Sequence, residues 1–115
     1  MPLSPNDCQV CSVYGGTVSN TKVEVTDNVD VLLYGFHIQN TTAAVAYLQV
    51  FDKDADDVTV GTTVPDYVIG VAANNQCDIV FQKPKRHSTG FTIASCTSRT
   101  NNTGAAQEVT IQYVT

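Results

Sequence analysis

VLLYGFHIQNTTAAVAYLQVF, residues 31–51, decides the fold class of this 115-residue chain. Its first half alternates: Leu32, Tyr34, Phe36 and Ile38 fall on one face of an extended strand. Its second half does the same with Ala46, Leu48 and Val50. A side-chain period of two is the strand signature, and it assigns the buried face. The connector between them, Gln39, Asn40, Thr41 and Thr42, is polar throughout and suits a turn, so the stretch reads as a hairpin. Two strands alone are marginal in water. The rest of the chain must therefore supply more of them.

Working outward, it does. Towards the N-terminus, residues 9–14 read as a strand stopped by Gly15 and Gly16. Residues 17–25 read as another, and Asp27 with Asn28 as a turn. Towards the C-terminus, 58–64 is a β-prone segment broken by Gly61 and closed by Pro65. Strands are then expected at 67–71, 77–81, 90–95 and 108–114, with a turn at 72–75 and loops at 82–88 and 97–104. Nowhere does a 3.6-residue pattern run long enough for a helix. Eight or nine short strands without crossover helices predict an all-β fold, a single antiparallel β-sandwich. Jelly-roll and immunoglobulin-like topologies both satisfy the pattern. One domain is expected over 8–115, preceded by a flexible arm over 1–7 that carries two prolines.

Composition excludes several classes of function. Charged residues make up 15%, against a typical ~25%. The net charge of −5 gives no electrostatic footprint for nucleic acid. The longest apolar run, 43–48, is far short of the ~20 residues of a membrane span. The N-terminus, MPLSPNDC, has neither a charged n-region nor an apolar h-region, so no secretory signal is expected.

Candidate chemistry is sparse. Cys8 and Cys11 form a C-x-x-C, but Cys77 and Cys96 stand 19 apart and complete no zinc spacing. Cys77 alternates with Ile79 and Phe81, which predicts a buried thiol, and Cys96 is read the same way. A Cys8–Cys11 disulfide stays open. Asp52, Asp54 and Asp56 are spaced like the start of a calcium loop. However, Asp57 stands where the sharp-turn Gly belongs and Thr63 where the bidentate Glu belongs. A solvated connection is therefore the reading. The two histidines, His37 and His87, have no partner at a ligand or triad spacing, and no hydrolase or phosphate-loop motif is present. No enzyme activity, metal or cofactor is expected. Two Asn-x-Thr acceptor patterns, at Asn40 and Asn101, are set aside as frequent by chance in an Asn/Thr-rich chain.

What remains is surface. Lys83, Lys85, Arg86 and His87 form the densest basic stretch, read either as a solvated loop end or as a contact for an acidic partner. Tyr47 and Phe51, on the face opposite Leu48, are the aromatic candidates for an interface or a sugar platform, although Trp is absent.

Three segments carry a resemblance: YLQVFDK at 47–53, VGTTVPDYVIGV at 60–71 and STGFTIA at 88–94. Within the span 32–98 the chain resembles small β-sandwich virion proteins of tailed bacteriophages. It departs from them in its cysteines and in its KPKRH segment. The resemblance implies a structural protein of the virion: a capsid decoration or cement protein, or a fibre base. Its partner would be the major capsid protein, met on the capsid exterior. A tail or fibre module binding host-surface glycan is the alternative. A chain this small often gains stability by oligomerising, and a homotrimer is expected.

Overall fold

The computed structural model describes residues 12–26 and 30–115. The expected arm, Cys8, Cys11 and the turn at Asp27 and Asn28 lie outside them. Eight strands are formed: β1 (Ser12–Val18), β2 (Val23–Thr26), β3 (Val31–Asn40), β4 (Ala46–Phe51), β5 (Tyr67–Val71), β6 (Gln76–His87), β7 (Phe91–Cys96) and β8 (Gln107–Val114). Among the described residues a 3-10 turn, Ala55–Asp57, is added. β1 runs straight through Gly15 and Gly16, and the segment after Val58 is a turn rather than a strand.

The strands make two four-stranded sheets, β1-β8-β3-β6 (sheet A) and β2-β7-β4-β5 (sheet B), with every pairing antiparallel. β1 pairs β8, β2 pairs β7, β3 pairs β6 and β4 pairs β5. This is one long hairpin, β1 to β4 against β5 to β8, rolled into a sandwich, and it defines a jelly roll. An immunoglobulin-like sandwich pairs consecutive strands such as A and B. Here, among the described residues, the only consecutive pair is β4 with β5. The hairpin expected between β3 and β4 is therefore not one. Its polar turn carries the chain from sheet A to sheet B.

Asn40 pins that corner from inside. Its side-chain amide donates to the carbonyls of Ala44 (2.8 Å) and Val71 (3.0 Å), and its oxygen accepts from the amide (2.9 Å) and hydroxyl (2.7 Å) of Thr42. A buried asparagine so fully bonded avoids the desolvation cost of an unpaired amide.

The inter-sheet core contains Leu33, Phe36 and Ile38 of β3, Leu48 and Val50 of β4, Phe91 and Ile93 of β7, and Val109 and Ile111 of β8. β3 does not keep one phase along its length. Between Leu33 and Gly35 its register to β8 shifts by one residue, a β-bulge. Val31 and Leu33 point inward before it, and Phe36 and Ile38 after it. Leu32 and Tyr34, expected in the core, are half-buried instead. A Cβ on Gly35 would lie 2.6 Å from the Ile79 carbonyl oxygen, so the bulge needs glycine.

The central strands of sheet B, β4 and β7, are covered on both faces. Gln49, Phe51, Thr92, Ala94 and Cys96 point away from the inter-sheet core, yet all are buried. The loops after β4 and after β7 close over them. Gln49 Nε2 donates to the carbonyls of Ser98 (3.2 Å) and Asn101 (3.0 Å). Thr92 Oγ1 donates to the Lys53 carbonyl (2.8 Å), and Gly61 lies against Asn102. Phe51, expected to be exposed, is buried for this reason.

Candidate functional site

The basic stretch is strand, not loop. β6 runs to His87 and swings out opposite Tyr34: Leu33 pairs Lys85 and Gly35 pairs Val80, so four residues of β6, 81–84, face one of β3. Pro84 falls in this excursion, on an edge strand, where its missing N–H costs no ladder bond. Successive side chains then separate. Lys85 sets its ammonium 5.0 Å from the centre of the Tyr67 ring, Arg86 reaches Asp30 Oδ1 (3.3 Å), and Lys83 is exposed. His87 is buried and unavailable to a partner, contrary to its reading as a surface group. Tyr47 is half-buried over Gly70.

His87 instead organises a corner of the sandwich. Nε2 accepts from the Tyr67 hydroxyl (2.9 Å) and Nδ1 donates to the Gly90 carbonyl (3.2 Å). Burial holds His87 below its ordinary value. It also pushes the Tyr67 hydroxyl up, helped by the charges of Asp52 and Asp66, so Tyr67 keeps the proton it donates. Asp52 accepts from three successive amides, Ser88 (3.3 Å), Thr89 (2.8 Å) and Gly90 (3.1 Å). Burial raises its carboxyl, but these amides and His87 outweigh burial and leave it below the ordinary range. The first aspartate of the calcium-like spacing is therefore a structural clamp on the 88–90 turn.

Cys96 is buried, and its thiol is pushed up by desolvation. Cys77 is only half-buried, and both are free thiols. Among the described residues, no three His, Cys, Asp or Glu side chains cluster as a metal site.

The outer face of sheet A is different in kind. The strand registers lay out three rows across β1, β8, β3 and β6: Thr17, Glu108, Gln39, Gln76; then Gly15, Thr110, His37, Asp78; then Val13, Gln112, Gly35, Val80. Apart from Gly35 at the bulge and half-buried His37, every one of these is exposed. Its charges are tied down within the face. Thr17 Oγ1 donates to Glu108 Oε1 (2.8 Å), and His37 Nδ1 meets Asp78 Oδ1 across the β3–β6 pair. Because Gly35 has no side chain, the face dips there. The depression, about 420 Å³, is lined by Gly35, His37, Asp78, Val80, Thr110 and Gln112, with Phe36 and Ile79 beneath.

Carboxylate, imidazole, hydroxyl and amide converge on that dip and suit a polyhydroxylated ligand. The His37–Asp78 pair was not legible in the sequence, because 41 residues separate its members and only the β3–β6 register joins them.

No protein-family model, no curated protein and no solved structure matches this chain.

Proposed function

We propose that this protein is a structural component of a phage virion, a decoration or cement protein. It binds the outside of the capsid as a homotrimer and stabilises it without catalysis or a cofactor. The observation that carries the reading is the contrast between the two outer faces. The centre of sheet B is closed by its own loops, whereas the outer face of sheet A is bare, carries only Glu108, Asp78 and His37 as ionisable groups, and is backed by the inter-sheet core. Interfaces are depleted in charge at their centre, and the charges of this face are already partnered. The likeness of residues 32–98 to virion proteins supports the same reading.

Magnitude sets how the face must be used. Four strands at ~4.8 Å and seven residues at ~3.3 Å span roughly 440 Å². A standard interface takes ~800 Å² from each partner. The face alone supplies about half, so contact must extend to an edge or to a second neighbour. Lys83, Lys85 and Arg86 on β6 offer such an extension towards an acidic capsid patch.

The test is a particle assembled without this protein. It should form normally yet lose its genome at lower temperature or after osmotic shock. Changing Lys83, Lys85 and Arg86 together to Ala should weaken binding to empty capsids, and the loss should shrink as salt is raised, because salt screens the same contact in the wild type. Capsids equally robust without the protein, with labelling only at the tail tip, would favour the second reading. That reading is a tail or fibre module holding host glycan in the Gly35 depression, and the converging polar groups there support it. Glycan-array binding lost in an Asp78→Ala, Gln112→Ala variant would establish it.

A further inference from the structure

Sheet A ends in two open edges that complement each other. Among the described residues, β1 pairs only with β8 and β6 only with β3. Natural sheets blunt such edges with charge, proline, bulges or brevity. Sheet B does so: β2 has four residues and a register shift, and β5 has five. Sheet A does not. β1, SVYGGTV, contains no charged residue and no proline. β6 is the longest strand, and its Lys, Pro and Arg are confined to 83–86, leaving 76–82 with a single charge, Asp78, already paired to His37.

We infer that sheet A continues from one copy of this chain to the next, β6 of one molecule pairing antiparallel with β1 of its neighbour, Val80 opposite Val13. The inference rests on the self-association proposed above and adds which edges meet. Polarity allows it. The order β1-β8-β3-β6 is antiparallel at every step, so β1 and β6 run in opposite directions, and a second copy in the same orientation presents β1 antiparallel to β6. Register allows it too. Val13, Gln112, Gly35 and Val80 lie in one row, so extending the sheet in line sets Val80 against Val13. These valines are 82% and 61% exposed, and one contact covers both. The next rows set Asp78 against Gly15 and Gln76 against Thr17, which brings together neither like charges nor two bulky groups.

The contact is head-to-tail. It therefore closes into a ring if the rotation per copy divides a full turn, as a trimer requires, and otherwise runs on as a filament. It also completes the Gly35 depression, whose open side at Val80 and Asp78 gains a wall from the neighbouring β1. A two-fold pairing of β6 with β6 would cover Val80 but leave Val13 bare.

Cysteine cross-linking of the full-length chain separates these arrangements. Val13→Cys and Val80→Cys are made separately, then oxidised alone and mixed, with the wild type in parallel to account for its own thiols. The expected result is a disulfide-linked pair formed only in the mixture. Native mass should show an oligomer for the wild type. Val80→Lys should weaken that oligomer at least about tenfold while leaving the melting curve of dilute, monomeric protein unchanged, since the side chain is outside the core. Cross-linking of Val80→Cys with itself overturns the head-to-tail contact in favour of the two-fold one. An oligomer without any cross-link in the mixture overturns the edge contact alone. A wild type that stays monomeric up to its solubility limit overturns both this inference and the self-association beneath it.

Discussion

Two glycines on one face of sheet A have opposite reasons for being there. A Cβ at Gly35 would sit 2.6 Å from the Ile79 carbonyl oxygen, and backbone cannot swing aside. A Cβ at Gly15 would meet nothing within 4 Å. Gly35→Ala should therefore destabilise by about 1–3 kcal/mol, as overpacking does. Gly15→Ala should stabilise by about 0.4–1 kcal/mol by restricting the unfolded chain. Urea unfolding of both variants checks the pair, and equal effects would refute the assigned bulge geometry. His87 makes a pH prediction. Burial lowers its pKa from the ordinary 6.5 despite the pull of Asp52 and the Gly90 carbonyl, so the unfolded chain takes up the proton first as pH falls. The stabilisation from neutral His87 is thus full above about pH 6.5 and declines below it. Asp52, lowered from the ordinary 3.8, contributes above that value and loses its contribution only below it. The melting temperature should fall in two separate windows. His87→Gln should flatten the first, which opens below about pH 6.5, while the three backbone amides on Asp52 keep the second in place.

At the scale of elements, legibility followed the regularity of each strand. β8 alternates cleanly with Val109 and Ile111 inward, and β4 does so with Leu48 and Val50, so both were readable. β3 was readable as a strand but not in phase. A bulge inserts one residue, and period two then exchanges inside for outside. β6 was cut short because Lys83, Pro84, Lys85 and Arg86 look like a loop by composition, although an edge strand tolerates all four. Outward-facing Phe51 looked exposed because no local pattern announces that loops will fold over the outer face of β4. Position within the sheets makes its own prediction. β3 and β8 are bonded on both sides, whereas β1 and β6 are bonded on one. In dilute protein, within sheet A, amides of β3 and β8 should exchange slowest, by hydrogen–deuterium exchange, and outward-facing amides of β1 and β6 fastest. On raising the concentration, residues 76–82 and 12–18 should gain protection together if sheet A extends between copies. Protection confined to one of them would argue against that.

For the whole molecule, sheet membership is the property that no local reading reaches. The strand spacing predicted a sandwich. The roll of the chain is written in pairings between its two ends: Ser12 with Tyr113, Val18 with Gln107, Val31 with His87. Among the described strands only β4 with β5 is a pairing of consecutive ones. Loop-closure entropy must be overcome before these distant contacts return any stabilisation. Folding should therefore be slow for the size of the chain, in the range of ~1 ms to ~1 s rather than microseconds, by stopped-flow dilution from urea. The same topology makes β8 indispensable. It lies between β1 and β3, and it inserts Val109 and Ile111 into the core. A chain ending at Ala106 would strand the inner edge of β1, leave β3 bonded only to β6, and open the sandwich at its centre. It should be unfolded by circular dichroism, and adding a peptide of residues 107–115 in excess should restore strand signal, because an absent central strand leaves a complementary slot. A truncated chain that keeps a cooperative melt would mean that β2 to β7 form a domain by themselves. The pairing of first strand with last would then be an accessory to the fold and not its closure.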